Sequence, residues 1–306
     1  MPHWLLKSAI HRAIALLPGT HRINELFQTH VTRSIHLSDE YFAGLLKHAS
    51  RHLDVRFRRS GTGDFTALEV GTGWFPVCPL AAVLCGATRV WTFDIAPLLE
   101  SRRLEKMLEY FRVFARDGRL AALLPGLRPE RLVLLDKASG RLCDPTAVLK
   151  SLGIEYRVCD ARNTDLPSDS VDFFFSHSVF QYIPLDILTE MLAEFRRISR
   201  GVVVHSHHIH PGSEFAYFDR RLSPLHFYEY GDAAWKILDS ALNRQTRLCM
   251  PDYRAVLSGS GLRIVHEENS RRELSEVLAM KLAPRFMKYD PEELRIFSTW
   301  IEATAS

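Results

Sequence analysis

From Phe65 onward, short runs of apolar and β-branched residues alternate with helical stretches, and few architectures accommodate that order. The runs are Ala67 to Val70, Arg89 to Phe93, Glu155 to Cys159, Asp172 to Phe175 and Gly201 to His207. Strands separated by helices form a parallel sheet covered on both faces. Their nearly continuous apolar character is what burial of both faces requires. The expected fold class is therefore α/β, a doubly wound, mainly parallel, Rossmann-like sheet.

Two helical additions are expected on this core. Leu6, Ile10, Ala13, Ile14 and Leu17 form a helical stripe ended by Pro18-Gly19, a second pattern spans Ile23 to Val31, and Ser38 caps a third over Asp39 to His52. Residues 1–60 thus read as a helical N-terminal extension and 61–306 as the main domain. About 60 residues separate the second and third strands, too many for a minimal crossover, so an insertion is expected over about 97–153. Leu98 to Phe114 and Pro145 to Leu152 are its helices, and its expected place is beside the strand ends. After Pro211-Gly212 the pattern predicts helices over Ala233 to Leu242 and Asp252 to Ser258 and a strand over Leu262 to His266. A terminal helix is expected from Pro291 to Ala303, with proline in its first turn.

The chain has 306 residues, 46% apolar and 25% charged, which excludes disordered and fibrous classes and allows a core without disulfide or metal staples. Its net charge is +3; residues 1–60 hold nine Lys and Arg against four Asp and Glu, leaving that segment +5 and the rest −2. These cations are mostly spread out and surround no nucleic-acid motif, so they read as a solvated face, and no nucleic-acid partner is expected. Five cysteines without a CxxC pair indicate reduced thiols and a cytoplasmic location. Lys7, His11 and Arg12 interrupt the apolar stretch from Trp4 to Leu17, which is not read as a secretion signal. Docking of that stretch on its own domain is a simpler reading than attachment to a membrane surface. The longest apolar run, Phe75 to Ala87, is too short to span a bilayer, so no transmembrane segment is expected.

The chemistry concentrates where the strands end. In Ala67-Leu68-Glu69-Val70-Gly71-Thr72-Gly73-Trp74-Phe75-Pro76 a strand runs into a glycine turn, which lets a ligand approach the backbone. Pro76 stands where a dinucleotide fingerprint needs its third glycine, and no Gly-Lys-Ser/Thr follows, so a pyrophosphate ligand and a nicotinamide oxidoreductase are disfavoured. Glu69 beside the turn also repels phosphate. Asp94, followed by Ile95, ends the second strand, where a carboxylate can accept hydrogen bonds from both hydroxyls of a ribose or serve as a helix cap. The third strand ends in Cys159-Asp160-Ala161, where an acid can receive an exocyclic amine, and the fourth in Ser176-His177-Ser178 before Gln181-Tyr182-Ile183-Pro184.

Together, Glu69-x-Gly71-x-Gly73, Asp94, Cys159-Asp160-Ala161 and the run from Asp165-Leu166-Pro167 through Ser170-Val171-Asp172 to Ser176-His177-Ser178-Val179 resemble a class I S-adenosylmethionine-dependent methyltransferase with a type 11-like core. The resemblance covers about residues 65–270. It implies an S-adenosylmethionine pocket in which Gly71 and Gly73 face the methionine portion, Asp94 holds the ribose and Asp160 with Ala161 flanks adenine, with Thr72 and Ile95 among the cofactor-binding residues. It further implies that Glu69 orients the amino group and that Ser176 and His177 wall the sulfonium. Phe75 replaces a third family glycine in a G-x-G-x-G pattern, and the long insertion also departs from the family.

Methyl transfer requires alignment above all, because the sulfonium is an activated donor, and a base only where the acceptor carries a proton. The candidates are His207, His208 and His177. Strand alternation puts His205 and His207 on one face and His208 and His210 on the other, with no acid among them, so no metal site is expected. Tyr182, Tyr228 and Tyr230 either shape an aromatic acceptor site or pack, and Asn243, Arg244 and Arg247 either bind an anionic acceptor or form salt bridges. The expected function is methyl transfer to an oxygen or nitrogen of a small-molecule acceptor. The alternative is a catalytically inactive S-adenosylmethionine-binding scaffold or regulatory subunit.

Overall fold

The computed structural model describes residues 36–137, 144–219, 221–238 and 245–305. The helices expected over Leu6 to Leu17 and Ile23 to Val31, and the positions Asn243 and Arg244, lie outside the described residues. Among the described residues seven strands form one sheet: β1 (Phe65–Val70), β2 (Ala87–Asp94), β3 (Ile154–Val158), β4 (Val171–His177), β5 (Ser199–Ile209), β6 (Leu262–Arg271) and β7 (Ile296–Ala305). Their order across the sheet is β3-β2-β1-β4-β5-β7-β6. All neighbouring pairs are parallel except those made by β7, which runs antiparallel to both β5 and β6.

One face carries α1 (Asp39–Ser60), α2 (Val77–Leu84) and α3 (Ser101–Arg116). Ser38 Oγ accepts the Tyr41 amide at the start of α1 and Gly61, at φ 75°, ends it; acids in the first turn and arginines in the last suit the helix dipole. Phe42, Leu46, Ala49 and Leu53 of α1 share a continuous core with Leu80, Phe111 and Phe114 and with Phe65, Ala67, Phe173 and Phe175 of the sheet. Burying a side chain of the size of Phe42 contributes roughly 1.5–3 kcal/mol, so α1 is a structural layer of the domain.

The opposite face is covered by α5 (Leu185–Ile198) and α6 (Met250–Gly259), which bury Leu188, Phe195, Tyr253 and Leu257 against Leu68, Trp91, Phe93 and Phe174. The residues between β2 and β3 include α3 and α4 (Pro145–Ser151), with Asp144 capping α4 through its side chain. Most of this insertion packs into the α1 face, and Leu98 is the part that reaches the strand ends. A third cluster, rich in aromatics, joins Phe215, Phe227, Tyr228 and Trp235 to Phe286 and Leu294.

The terminal helix expected from Pro291 to Ala303 is corrected by the structure. Only Pro291–Leu294 is helical, with Asp290 accepting the Glu292 amide, and Ile296–Ala305 forms β7. Ile296, Thr299, Ile301 and Thr304 are β-branched and alternate with Phe297 and Trp300, a composition that suits a pleated surface and outweighs a helix-starting proline.

Candidate functional site

Strands β1 to β4 run parallel from β3 across to β4, so their C-terminal ends lie along one edge of the sheet. There they open onto a cavity of about 740 Å³ lined by Gly71, Gly73, Asp94, Ile95, Asp160, Ala161 and His177, among others. The site thus occupies the position at which open α/β sheets bind ligands.

Its floor is the turn after β1. Gly71 has φ 84° and Gly73 φ 63°, a left-handed backbone that side chains with a Cβ disfavour. A Cβ built on Gly73 would meet nothing within 4 Å, so this backbone faces open space. Asp94 binds the turn from the neighbouring strand: one carboxylate oxygen accepts the Gly73 amide at 3.0 Å and the other the Ala96 amide at 3.1 Å. Burial raises the Asp94 pKa, and the amides of Gly73, Ala96 and Ile95 oppose that rise. Ile95, 91% exposed, is among the residues lining the cavity.

The third strand end is held by the Cys159 amide, which donates to the Asp94 carbonyl at 3.0 Å. Asp160 pairs with Arg162 at 2.6 Å, and the guanidinium holds its carboxyl below the usual range. At the fourth strand end Ser178 adopts φ 56°, strained for a residue with a Cβ, and its amide donates to the His208 carbonyl at 2.9 Å. This corner turns Val179 toward Gly71.

Other expected site residues lie behind the cavity wall. Glu69 is 4% exposed and accepts a hydrogen bond from Thr92 Oγ1 at 2.5 Å, while Thr72 Oγ1 lies 2.6 Å from the same hydroxyl. Burial pushes the Glu69 carboxyl up to about 8, the Thr92 bond opposing and the Asp94 charge adding to the rise. Ser176 is buried, with its Oγ 2.8 Å from His207 Nδ1. His207 is itself fully buried, and its Nε2 lies 3.2 Å from His205 Nδ1, so both ring nitrogens are engaged away from the cavity. His208 is engaged twice as well, by Ser178 Oγ and Ser298 Oγ, each at 2.9 Å.

His177 alone of the three candidate bases lines the cavity. Its ring is clamped between two others, 3.9 Å from His48 of α1 and 4.4 Å from His208, with Trp300 across their edges. Burial lowers the pKa of every ring in this column and nearby histidine and arginine charges lower it further, to about 3 at His208 and lower still at His177. These imidazoles are neutral across the physiological range. Among the described residues no group of three His, Cys, Asp or Glu side chains is arranged to hold a metal ion.

Reading the sequence did not find Leu98, Arg162, Val179 or Ile187 as cavity residues, nor the stacking of His48 on His177. The strand-end rule, carried a few residues past Ser178, would have reached Val179; the contact from α1 has no local signal. Tyr182 borders the cavity, whereas Tyr228 is buried in the aromatic cluster. Arg247, 3% exposed along its side chain, forms an ion pair with Asp232 at 2.5 Å, the second of the two readings open to it.

Residues 115–203 match the family model described as a methyltransferase domain. Over that stretch the chain is similar to a methyltransferase domain. The matched stretch includes Asp160, Ala161, Ser176 and His177, while the glycine turn and Asp94 precede it. Among solved structures, the chain is similar to a geranyl diphosphate C-methyltransferase from Streptomyces coelicolor A3(2), at 10% identity over 85% of this chain and 82% of that one, with a TM-score of 0.44. It is also similar to a magnesium protoporphyrin IX methyltransferase from Synechocystis PCC 6803, at 12% identity over 94% and 99%, TM-score 0.45. A third is a putative S-adenosylmethionine-dependent methyltransferase from Listeria monocytogenes, at 13% identity over 86% and 99%, TM-score 0.45. A search of curated proteins returned no match. No helix among the described residues is long and apolar enough to cross a membrane.

Proposed function

We propose that this methyltransferase domain transfers the methyl group of S-adenosylmethionine to an oxygen or nitrogen of a small-molecule acceptor. The observation that carries the reading is the convergence of four strand ends on one cavity, with Asp94 bound to the Gly73 amide at its floor. Gly71 and Gly73 offer the methionine portion a backbone surface, Asp94 accepts the ribose hydroxyls, and Ile95, Asp160 and Ala161 flank adenine. Glu69 and Thr72 support the turn from behind, as Ser176 supports the wall formed by His177. When bound, the cofactor supplies an electrophilic methyl group, and these residues orient it and exclude water.

His177 is the histidine placed to meet an acceptor. His208 acts through it by stacking on its ring, and His207 acts through Ser176 at the end of β4. Residues 61–306 form the cofactor-binding domain, and the extension over 1–60 lends α1 to its core. The four described cysteines are free thiols, which suits a reducing compartment such as the cytoplasm.

The test is calorimetric titration with S-adenosylmethionine and S-adenosylhomocysteine, followed by incubation of the tritiated donor with a small-molecule extract. Micromolar binding of both ligands, lost in Gly71→Arg and Asp94→Ala, together with label transferred to a small molecule supports the reading. Binding without transferred label would favour the non-catalytic alternative. Absence of binding, or tight binding of NADH instead, would overturn it.

A further inference from the structure

We infer that His177 meets the acceptor as a hydrogen-bond donor rather than as a base, and that the acceptor is a carboxylate, methylated on oxygen to an ester. The inference rests on the proposed function and names the acceptor class for that site. His177 ends β4 opposite His208 in the sheet register, with the rings of His48 and His208 stacked on its own at 18° and 16°. Its Nδ1 is buried and has no hydrogen-bond partner among the described residues. Nε2 is the accessible nitrogen, on a residue that lines the cavity. A histidine that removes a proton through Nε2 carries its own proton on Nδ1, where a carboxylate or carbonyl holds it. Here that N–H would be buried and unpaired, which the interior penalises.

A protonated ring would be placed worse. The groups acting on it are His48, Arg51 and His52 of α1 and His208 of β5, none of them an acid, and burial together with their charges keeps His177 neutral. Arg51 lies 4.0 Å over the Trp300 ring and is paired with Glu268 of β6 at 2.7 Å. The neighbouring rings offer no exit for a proton: both nitrogens of His208 are engaged by serine hydroxyls, and His52 binds Ser206 through Nδ1 while its buried Nε2 has no partner among the described residues. The proton of His177 therefore stays on Nε2, the tautomer a free histidine side chain favours, and the cavity meets an N–H. With no base at the wall, the acceptor must already be unprotonated near pH 7, and it must keep a lone pair free after receiving the His177 N–H. A neutral amine has a single lone pair, which that N–H would occupy. A carboxylate meets both conditions: its ordinary pKa is about 4, and one oxygen can receive Nε2–H while the other attacks. The Arg51 charge, which reaches His177, favours an anion there. The attacking oxygen forms its bond to the methyl carbon as the carbon–sulfur bond breaks and its electron pair passes to sulfur. The two charges cancel, and no proton has to move.

The experiment has three arms on the full chain. Two-bond proton–nitrogen NMR spectra of the nitrogen-15-labelled protein, with the His177 signals identified by their loss in His177→Gln or His177→Leu, should show the neutral Nε2–H form from about pH 8 down to about pH 5. An Nδ1–H form, or a ring that takes up a second proton in that range, overturns the inference. In the second arm the wild-type protein is incubated with tritiated S-adenosylmethionine and a small-molecule extract, and the labelled product is treated with mild alkali, which converts methyl esters to volatile methanol and leaves ethers and N-methyl groups intact. Most of the label should become volatile; alkali-stable label overturns the inference and leaves the proposed function standing. In the third arm, His177→Gln keeps an amide N–H near the position of Nε2 but cannot act as a base, and should slow label transfer by less than about tenfold, against roughly thirtyfold for His177→Leu. The ratio of wild-type to His177→Gln rates should stay constant from about pH 6 to 8. A loss in His177→Gln as large as that in His177→Leu, or a ratio that rises with pH, is the mark of a base and overturns the inference. Absence of cofactor binding, or binding without transferred label, overturns the proposed function and this inference with it.

Discussion

Val179 occupies the space in front of Gly71: a Cβ built on the glycine would lie 2.3 Å from Val179 Cγ2. Because Gly71 also has φ 84°, a side chain there meets both a steric and a conformational obstacle. Gly71→Ala should destabilise the protein by about 2–4 kcal/mol in urea unfolding. Adding Val179→Ala should restore the steric share and leave the backbone share; equal stability of the single and double variants would refute the contact.

The buried histidines make stability sensitive to acid. His205 and His208 have folded-state pKa values lowered to about 3 by burial, and His207 is lowered as well. The unfolded chain takes up protons below about pH 6.5 where the folded one does not, so their contribution is complete above that pH and declines as pH falls toward the folded values. His205 and His208 should each remove roughly 1 kcal/mol per pH unit between pH 6 and 4, with His207 acting in the same direction, and the sum should appear in urea midpoints. His205→Phe, which preserves a ring stacked at 4.7 Å on Phe174, should flatten that slope by one histidine's share.

Glu302 ties the end of α1 to β7. Its carboxylate is 5% exposed and receives Arg58 at 2.9 Å and Arg59 at 2.8 Å. Glu302→Ala leaves Arg59 with no acid in place of its partner and should cost about 1–3 kcal/mol, measured by thermal unfolding. Asp54→Ala, which breaks an exposed i,i+4 pair with Arg58, should cost under about 0.5 kcal/mol.

The helix α1 should be indispensable to the domain. Its removal uncovers Phe42, Leu46, Ala49 and Leu53, all part of the core that includes Phe111 and Phe173. A fragment spanning residues 61–306 is expected to bind a hydrophobic dye and to lose its near-ultraviolet circular dichroism. A cooperative unfolding transition matching that of the full chain would contradict this.

The strands that carry the site were legible because each is an apolar run closed by a distinctive residue: Gly71, Asp94, Asp160 and Ser176-His177 all sit at or just past strand ends. Alternation along β5 also anticipated that His205 and His207 would share a face, as their 3.2 Å contact shows. It could not tell which face would meet the cavity, because that depends on what covers each side. His48 illustrates the limit: 129 residues separate it from His177, and only the packing of α1 on the sheet brings the rings together. Residues 291–303 were misread because a proline that starts a helix says nothing about where the helix stops, and β-branched residues alone mark the change four residues later.

The position of β7 has a consequence for synthesis. Among the described residues β6 has no hydrogen-bonded neighbour in the sheet apart from β7, which follows it in the chain and separates it from β5. On the ribosome, β1 to β5 can pair as they emerge, whereas β6 must wait as an unpaired edge until the strand that joins it has been made. A stalled or truncated nascent chain ending before Ile296 would therefore leave β5 and β6 unpaired where β7 belongs, and would be a natural target for chaperones that hold exposed edges.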